Sequence, residues 1–89
     1  MAGVMALTRC AAIEAAPYGV RINAVAPSIA MHAFLAKTTT PELLAELAKR
    51  EAFGRPAEVW EVANVMLFLA SDLSTYLTGE VLSVSSQHP

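Results

Sequence analysis

The stretch RINAVAPSIAMH, residues 21–32, decides how this chain is read. On an extended backbone Val20, Ile22, Ala24 and Ala26 share one face, and Arg21, Asn23 and Val25 share the other. The second half of the run is apolar on both faces, as in a parallel sheet covered by helices. Pro27 has no N–H to give to a ladder and ends the strand. The chain then passes through Ser28 into a segment that carries His32. In open α/β sheets ligands sit where parallel strands end and loops begin. A strand is therefore predicted over residues 20–26 and a loop over residues 28–39.

The flanking sequence fits that centre. Residues 2–16 are alanine-rich and read as helix, with Val4, Leu7 and Ala11 on one stripe and Cys10 as a small buried residue. Pro17 biases the residue before it away from helix, so Pro17-Tyr18-Gly19 reads as a turn. Thr40-Pro41-Glu42 is a helix start, with Thr40 as cap, Pro41 in the first turn and Glu42 at the positive end. That helix is predicted to run to Glu51 with Leu43, Leu44, Leu47 and Ala48 inward and Lys49 and Arg50 in its last turn. Phe53-Gly54-Arg55-Pro56 interrupts it. A further helix is predicted over residues 56–71, with Val59, Val62, Ala63, Met66, Leu69 and Ala70 as core stripe. Trp60, Val65 and Phe68 lie off that stripe, so this helix reads as covered on more than one side. Tyr76 reads as a packing residue, Thr78-Gly79 as a turn, and residues 80–85 as a last strand.

The order helix–strand–helix–helix–strand contains a parallel strand crossover, which is right-handed by rule. Two strands and three helices leave sheet edges open. The fold class is therefore α/β: the C-terminal half of a doubly wound parallel sheet, with the N-terminal half outside this sequence.

Composition points the same way. Hydrophobic residues make up 55% of the 89 and charged ones 16%, against about 45–50% and about 25% in ordinary domains. So much apolar surface calls for covering by further chain or by a second copy. The net charge of −2, with no basic patch, argues against nucleic acid. No stretch approaches the ~20 apolar residues of a membrane span, and no basic n-region follows Met1. Cys10 is the one cysteine, which leaves neither a disulfide framework nor a cysteine metal site and suits a reducing cytoplasm. His32 and His88 stand far apart without a partnering carboxylate pair, so no metal site is read.

Several chemistries fail on spacing. The four glycines, Gly3, Gly19, Gly54 and Gly79, are too scattered for a dinucleotide fingerprint or a phosphate loop. Ser28, His32 and Asp72 lack the Gly-x-Ser-x-Gly turn that presents a nucleophile. A phenol needs a neighbouring cation to act as acid or base near neutrality. Four residues after Tyr18 and Tyr76 stand Ile22 and Glu80 rather than lysine. The residues thus assign no catalytic group to this chain.

Three stretches in order, AGVMALTRCAAIEAAPYGVRINAVAPSIAMH, FGRPAEVWEVANVMLFLASD and TYLTGEVLSV, resemble the C-terminal part of the short-chain dehydrogenase/reductase family. The resemblance implies residues 1–89 as the C-terminal part of a Rossmann-like domain binding NAD or NADP. It implies hydride transfer between the nicotinamide and a secondary alcohol or ketone, in a cytoplasmic homo-oligomer. The family's catalytic Tyr-x-x-x-Lys would end where Met1 stands; its serine and glycine-rich loop would lie further upstream. Asn23 matches a structural asparagine of the family. The family's Pro-Gly-x-Ile-x-Thr, which holds the nicotinamide end of the cofactor, falls on Pro27, Ser28, Ala30 and His32, of which only Pro27 is unchanged. SVSSQHP replaces the common VDGG. PSIAMH together with SVSSQ is similar to actinobacterial reductases of steroid and acyl-CoA catabolism.

The resemblance implies that the chain alone is inactive. Two other readings stand beside it: a truncated or mis-started remnant without function, and a non-catalytic module that docks on intact family members. The DNA upstream of Met1 separates them; Met1 is no N-cap residue, and the first turn looks cut rather than begun. The expected outcome of sequencing upstream of the Met1 codon is an in-frame Tyr-x-x-x-Lys motif; a stop codon there leaves the remnant.

Overall fold

The computed structural model describes residues 2–27, 30–31 and 40–86, with backbone alone at 30 and 31. Helix α1 (Ala2–Ala15) leads through a 3₁₀ turn (Ala16–Tyr18) to strand β1 (Ala24–Pro27). Strand β2 (Ala30–Met31) follows, then helix α2 (Pro41–Arg50), strand β3 (Ala57–Glu58), helix α3 (Val59–Ala70), a second 3₁₀ turn (Asp72–Ser74) and strand β4 (Val81–Val84).

The predicted parallel pair is present. β1 and β4 run parallel in the register Ala24 to Val81, Val25 to Leu82, Ala26 to Ser83 and Pro27 to Val84. Both strands are shorter than expected: β1 begins at Ala24 and β4 at Val81 rather than at Glu80. In the lead-in the Gly79 N–H donates to the Ile22 carbonyl at 2.7 Å, and side-chain bonds reinforce it. The Ile22 N–H donates to Thr78 Oγ1 at 3.1 Å, and Asn23 Nδ2 donates to the Leu77 carbonyl at 3.0 Å. Asn23 Oδ1 accepts from the Glu80 N–H at 3.1 Å. Asn23 therefore has the structural role that the resemblance implies.

Arg21 sits beside it, on the face of β1 turned to α3. Its Nη2 donates to the carbonyls of Leu69 at 3.0 Å and Ser71 at 3.4 Å, and its Nη1 to Ser74 Oγ at 3.2 Å and the Leu77 carbonyl at 3.1 Å. These oxygens lie at and just beyond the end of α3, where backbone carbonyls lack helical partners and the dipole favours a cation.

α1 departs from its predicted orientation. Val4 and Leu7 are exposed, and the covered positions are Thr8 and Ala12, with Ala11 and Ala15 half-buried. Thr8 Oγ1 donates to the Val4 carbonyl at 2.7 Å, which satisfies the buried hydroxyl. Small side chains face inward because the neighbour is backbone. Gly79, at φ +75°, lies where a β-carbon would stand 3.4 Å from that of Ala12. Cys10 is free and exposed rather than buried, since it falls off this stripe. At Gly3, by contrast, an added β-carbon would meet no neighbouring element within 4 Å among the described residues.

α3 begins at Val59 rather than at Pro56. The Glu58 N–H donates to the Glu61 carboxylate at 2.8 Å, the backward half of a capping box. Val62, Val65 and Leu69 are half-buried, whereas Val59, Ala63, Met66 and Ala70 of the predicted stripe are exposed along with Trp60 and Phe68. Tyr76 is 100% exposed and does not pack as expected. Among the described residues Ala12 is the one fully buried apolar side chain. The apolar excess of the sequence thus appears as uncovered surface.

Arg21→Met should lower stability by about 2 kcal/mol, the scale of hydrogen bonds from a charged donor left unmade at half-buried carbonyls. A reduced urea midpoint at unchanged slope would show it. Arg21→Lys should recover little, because a point cation lacks the fork that reaches four oxygens.

Candidate functional site

The carboxyl ends of β1 and β4 lie side by side, Pro27 opposite Val84. Next to them β2 pairs with β3 in parallel, Ala30 opposite Ala57 and Met31 opposite Glu58. The sequence predicts loop at Ala30 and Met31 and helix at Ala57 and Glu58, and the structure has this short bridge instead. A two-residue bridge has no periodicity of its own for a sequence to display. It draws the segment leaving β1 back to the start of α3. In open α/β sheets this edge is where ligands bind.

Of the residues implied for the nicotinamide, Pro27 is exposed at the last position of β1 and Ala30 opens β2. Ser28 and His32 lie outside the described residues. Asp72 opens the second 3₁₀ turn, beyond the far end of α3, away from the β1 carboxyl end. Among the described residues no cluster of three metal-ligating side chains occurs, and no helix is long and apolar enough to cross a membrane.

Beside β4 a small cleft is lined by Glu51, Phe53, Arg55, Ala57, Glu61 and the chain from Val84 to Ser86. Two polar clusters hold its walls. Arg55 grips Glu61 with both guanidinium nitrogens, at 2.7 and 3.1 Å, and donates to the Pro56 carbonyl at 3.0 Å. The Arg55 hydrogen bond, and then that of the Glu58 N–H, hold the Glu61 carboxyl down at about 2. The same pairing raises Arg55 above its ordinary value. The second cluster joins Glu51 to Ser86: Ser86 Oγ donates to Glu51 Oε2 at 3.1 Å and accepts from the Phe53 N–H at 3.2 Å. Along β1 an open, mainly apolar trough runs from Arg21 and Asn23 to Pro27, walled by Val62, Met66 and Leu69 of α3.

Neither cluster was singled out from sequence. Arg55 and Glu61 stand six apart across a helix start, a spacing outside the helical pairings at three and four. Glu51 and Ser86 are joined only by the fold. The one local sign was Glu61 three residues after Glu58, the capping-box spacing.

This geometry, with residues 1–86 matching the family model described as enoyl-(acyl carrier protein) reductase, settles the kinship. The chain belongs to the short-chain dehydrogenase/reductase family. It is 74% identical over 88 residues to a Mycobacterium tuberculosis protein named (5R,7aS)-5-hydroxy-7a-methyl-1-oxo-2,3,5,6,7,7a-hexahydro-1H-indene-carboxyl-CoA reductase, a match covering 99% of this chain and 34% of that protein. It is 42% identical over 83 residues to cis-4-hydroxycyclohexanecarboxylate dehydrogenase of Sinomonas cyclohexanicum, covering 93% of this chain and 33% of that protein. With a 3-oxoacyl-acyl-carrier-protein reductase of Aquifex aeolicus the identity is 38% over 84 residues, covering 94% and 34%. This short-chain dehydrogenase/reductase chain spans about a third of the length of the curated relatives it matches.

Because its folded pKa is depressed, Glu61 adds stability that is present above the ordinary carboxylate range and is lost as pH falls through about 2. Carboxyl chemical shifts followed by NMR should put its midpoint near that value. In Arg55→Met the midpoint should rise toward the ordinary carboxylate value.

Proposed function

We propose that this segment serves an NAD(P)-dependent oxidoreductase that transfers hydride between the nicotinamide and a secondary alcohol or ketone. The observation that carries the reading is 74% identity across almost the whole chain to a carboxyl-CoA reductase. On that basis the substrate is a cyclic alcohol or ketone carried as a carboxyl-CoA thioester. The segment would contribute the turn after β1, with Pro27, Ser28, Ala30 and His32 beside the nicotinamide. It would also contribute the trough walled by α3 and the surface through which a cytoplasmic homo-oligomer assembles.

The residues present do not fit a whole dinucleotide. A pyrophosphate needs closely spaced glycines opening a helix after a first strand. Here Gly79, the glycine with the tightest surroundings, sits before β4 and faces Ala12 instead. The acid/base of the reaction has no candidate in this chain either. Tyr18 and Tyr76 are exposed and have no lysine four residues on. The segment is therefore inactive by itself and supplies walls rather than chemistry.

Two measurements bear on this. Grafted in place of the matching third of the Mycobacterium tuberculosis relative, the chain should give an enzyme whose kcat/KM stays within about tenfold of the parent, or about 1.4 kcal/mol. A folded chimera without nicotinamide-dependent turnover would sink the reading. Calorimetric titration of the chain alone with NADH and NADPH should show no micromolar binding; such binding would contradict the division of labour.

A further inference from the structure

Glu51 is 6% exposed, the one ionisable side chain fully buried among the described residues. Buried carboxylates are rare unless partnered. Its position explains the partnering. Glu51 caps the C-terminal end of α2, its own N–H donating to the Ala48 carbonyl at 3.1 Å. The turn it opens is closed by the Gly54 N–H, which donates to the Glu51 carbonyl at 2.9 Å, with Gly54 at φ +72°.

α2 needs an anchor. Leu44, Leu47 and Ala48 are only half-buried and Leu43 is 50% exposed. Unlike α1 and α3, which pack on β1, α2 has no extensive packing against another described element. A ten-residue helix is marginal without tertiary support.

The Ser86 hydroxyl, just beyond β4, supplies it. It donates to the Glu51 carboxylate on one side of the turn and accepts from the Phe53 N–H on the other. A hydroxyl has one proton to give and lone pairs to accept with, so one side chain makes both bonds. We propose that Ser86 and Glu51 form a latch that fixes α2 and the turn after it to the carboxyl end of β4, and so sets the width of the cleft there. Removing the hydroxyl strands a buried carboxylate and a backbone amide together, whereas threonine keeps both bonds. Ser86 is thus a positioning residue. The latch stands on this geometry and not on the oxidoreductase reading.

Amide hydrogen exchange of the full chain tests it, comparing wild type with Ser86→Ala, Ser86→Thr and Glu51→Gln. In wild type the Phe53 amide should be protected. In Ser86→Ala the amides of Phe53 and of residues 45–50 should exchange about tenfold faster or more, while the Ala24 amide, bonded to Glu80 at 2.9 Å, changes by less than about twofold. Ser86→Thr should restore protection, and Glu51→Gln, whose amide oxygen still accepts from Ser86 Oγ, should keep the Phe53 amide protected and loosen α2 less than Ser86→Ala does. The proposal is overturned by a wild-type Phe53 amide exchanging at the unfolded rate. It is equally overturned by Ser86→Ala accelerating Ala24 as much as α2, or by Ser86→Thr failing to restore protection.

Discussion

Four oxygens converge on the Arg21 guanidinium: three carbonyls, of Leu69, Ser71 and Leu77, and the hydroxyl of Ser74. They mark where α3 stops, where the second 3₁₀ turn bends and where the chain heads into β4. One planar fork therefore sets the angle between a helix and the strand that follows it. Asn23 continues the constraint two residues on, bridging Leu77 and Glu80. The register of β1 on β4 follows, since both strands leave this junction with their phase already fixed. Gly79 then lets the α1 backbone come close, with Ala12 as the contact. A β-carbon at Gly79 would meet both the positive φ and that contact, so the seat of α1 rests on the same junction.

The opposite end of the sheet is organised differently. There the strands stop and polar pairs take over: Arg55 with Glu61 at the start of α3, and Glu51 with Ser86 at the end of α2. One end is closed by a cation on helix carbonyls, and the other is left as a cleft with hydrogen-bonded walls. The cleft thus falls at the carboxyl edge, the edge at which open α/β sheets bind their ligands.

What the sequence displayed was local or periodic. The alternation around Ile22 and Ala24 gave the strand, Pro27 its end, and Thr40-Pro41 the start of α2, where Thr40 Oγ1 accepts from the Leu43 N–H at 3.2 Å. The β2–β3 bridge stayed invisible because two residues carry no period. The start of α3 was misplaced because Pro56 is the louder signal, while Glu58 is not among the usual N-cap residues. The inward faces of α1 and α3 were misread for one reason. Periodicity tells which residues share a face, but the neighbour decides which face is covered. Opposite α1 that neighbour is a glycine turn, so alanines rather than Val4 and Leu7 point in. Of the residues that the resemblance implies for the nicotinamide, Pro27 ends β1 and Ala30 opens β2; the polar clusters near them depend on pairings that only the folded chain creates.

The junction at Arg21 also imposes an order in time. Its partners lie between 48 and 56 residues further along the chain, and β1 reaches β4 only across a comparable span. Helices can flicker locally within a microsecond, but a parallel pair must first close that loop. At synthesis rates of about 5–20 residues per second, Arg21 is made roughly 3–11 s before Leu77. During that interval the strand edge and the apolar side of α1 have nothing in this segment to pair with. Within this segment, the pairing of β1 with β4 therefore waits until residues 81–84 have been made.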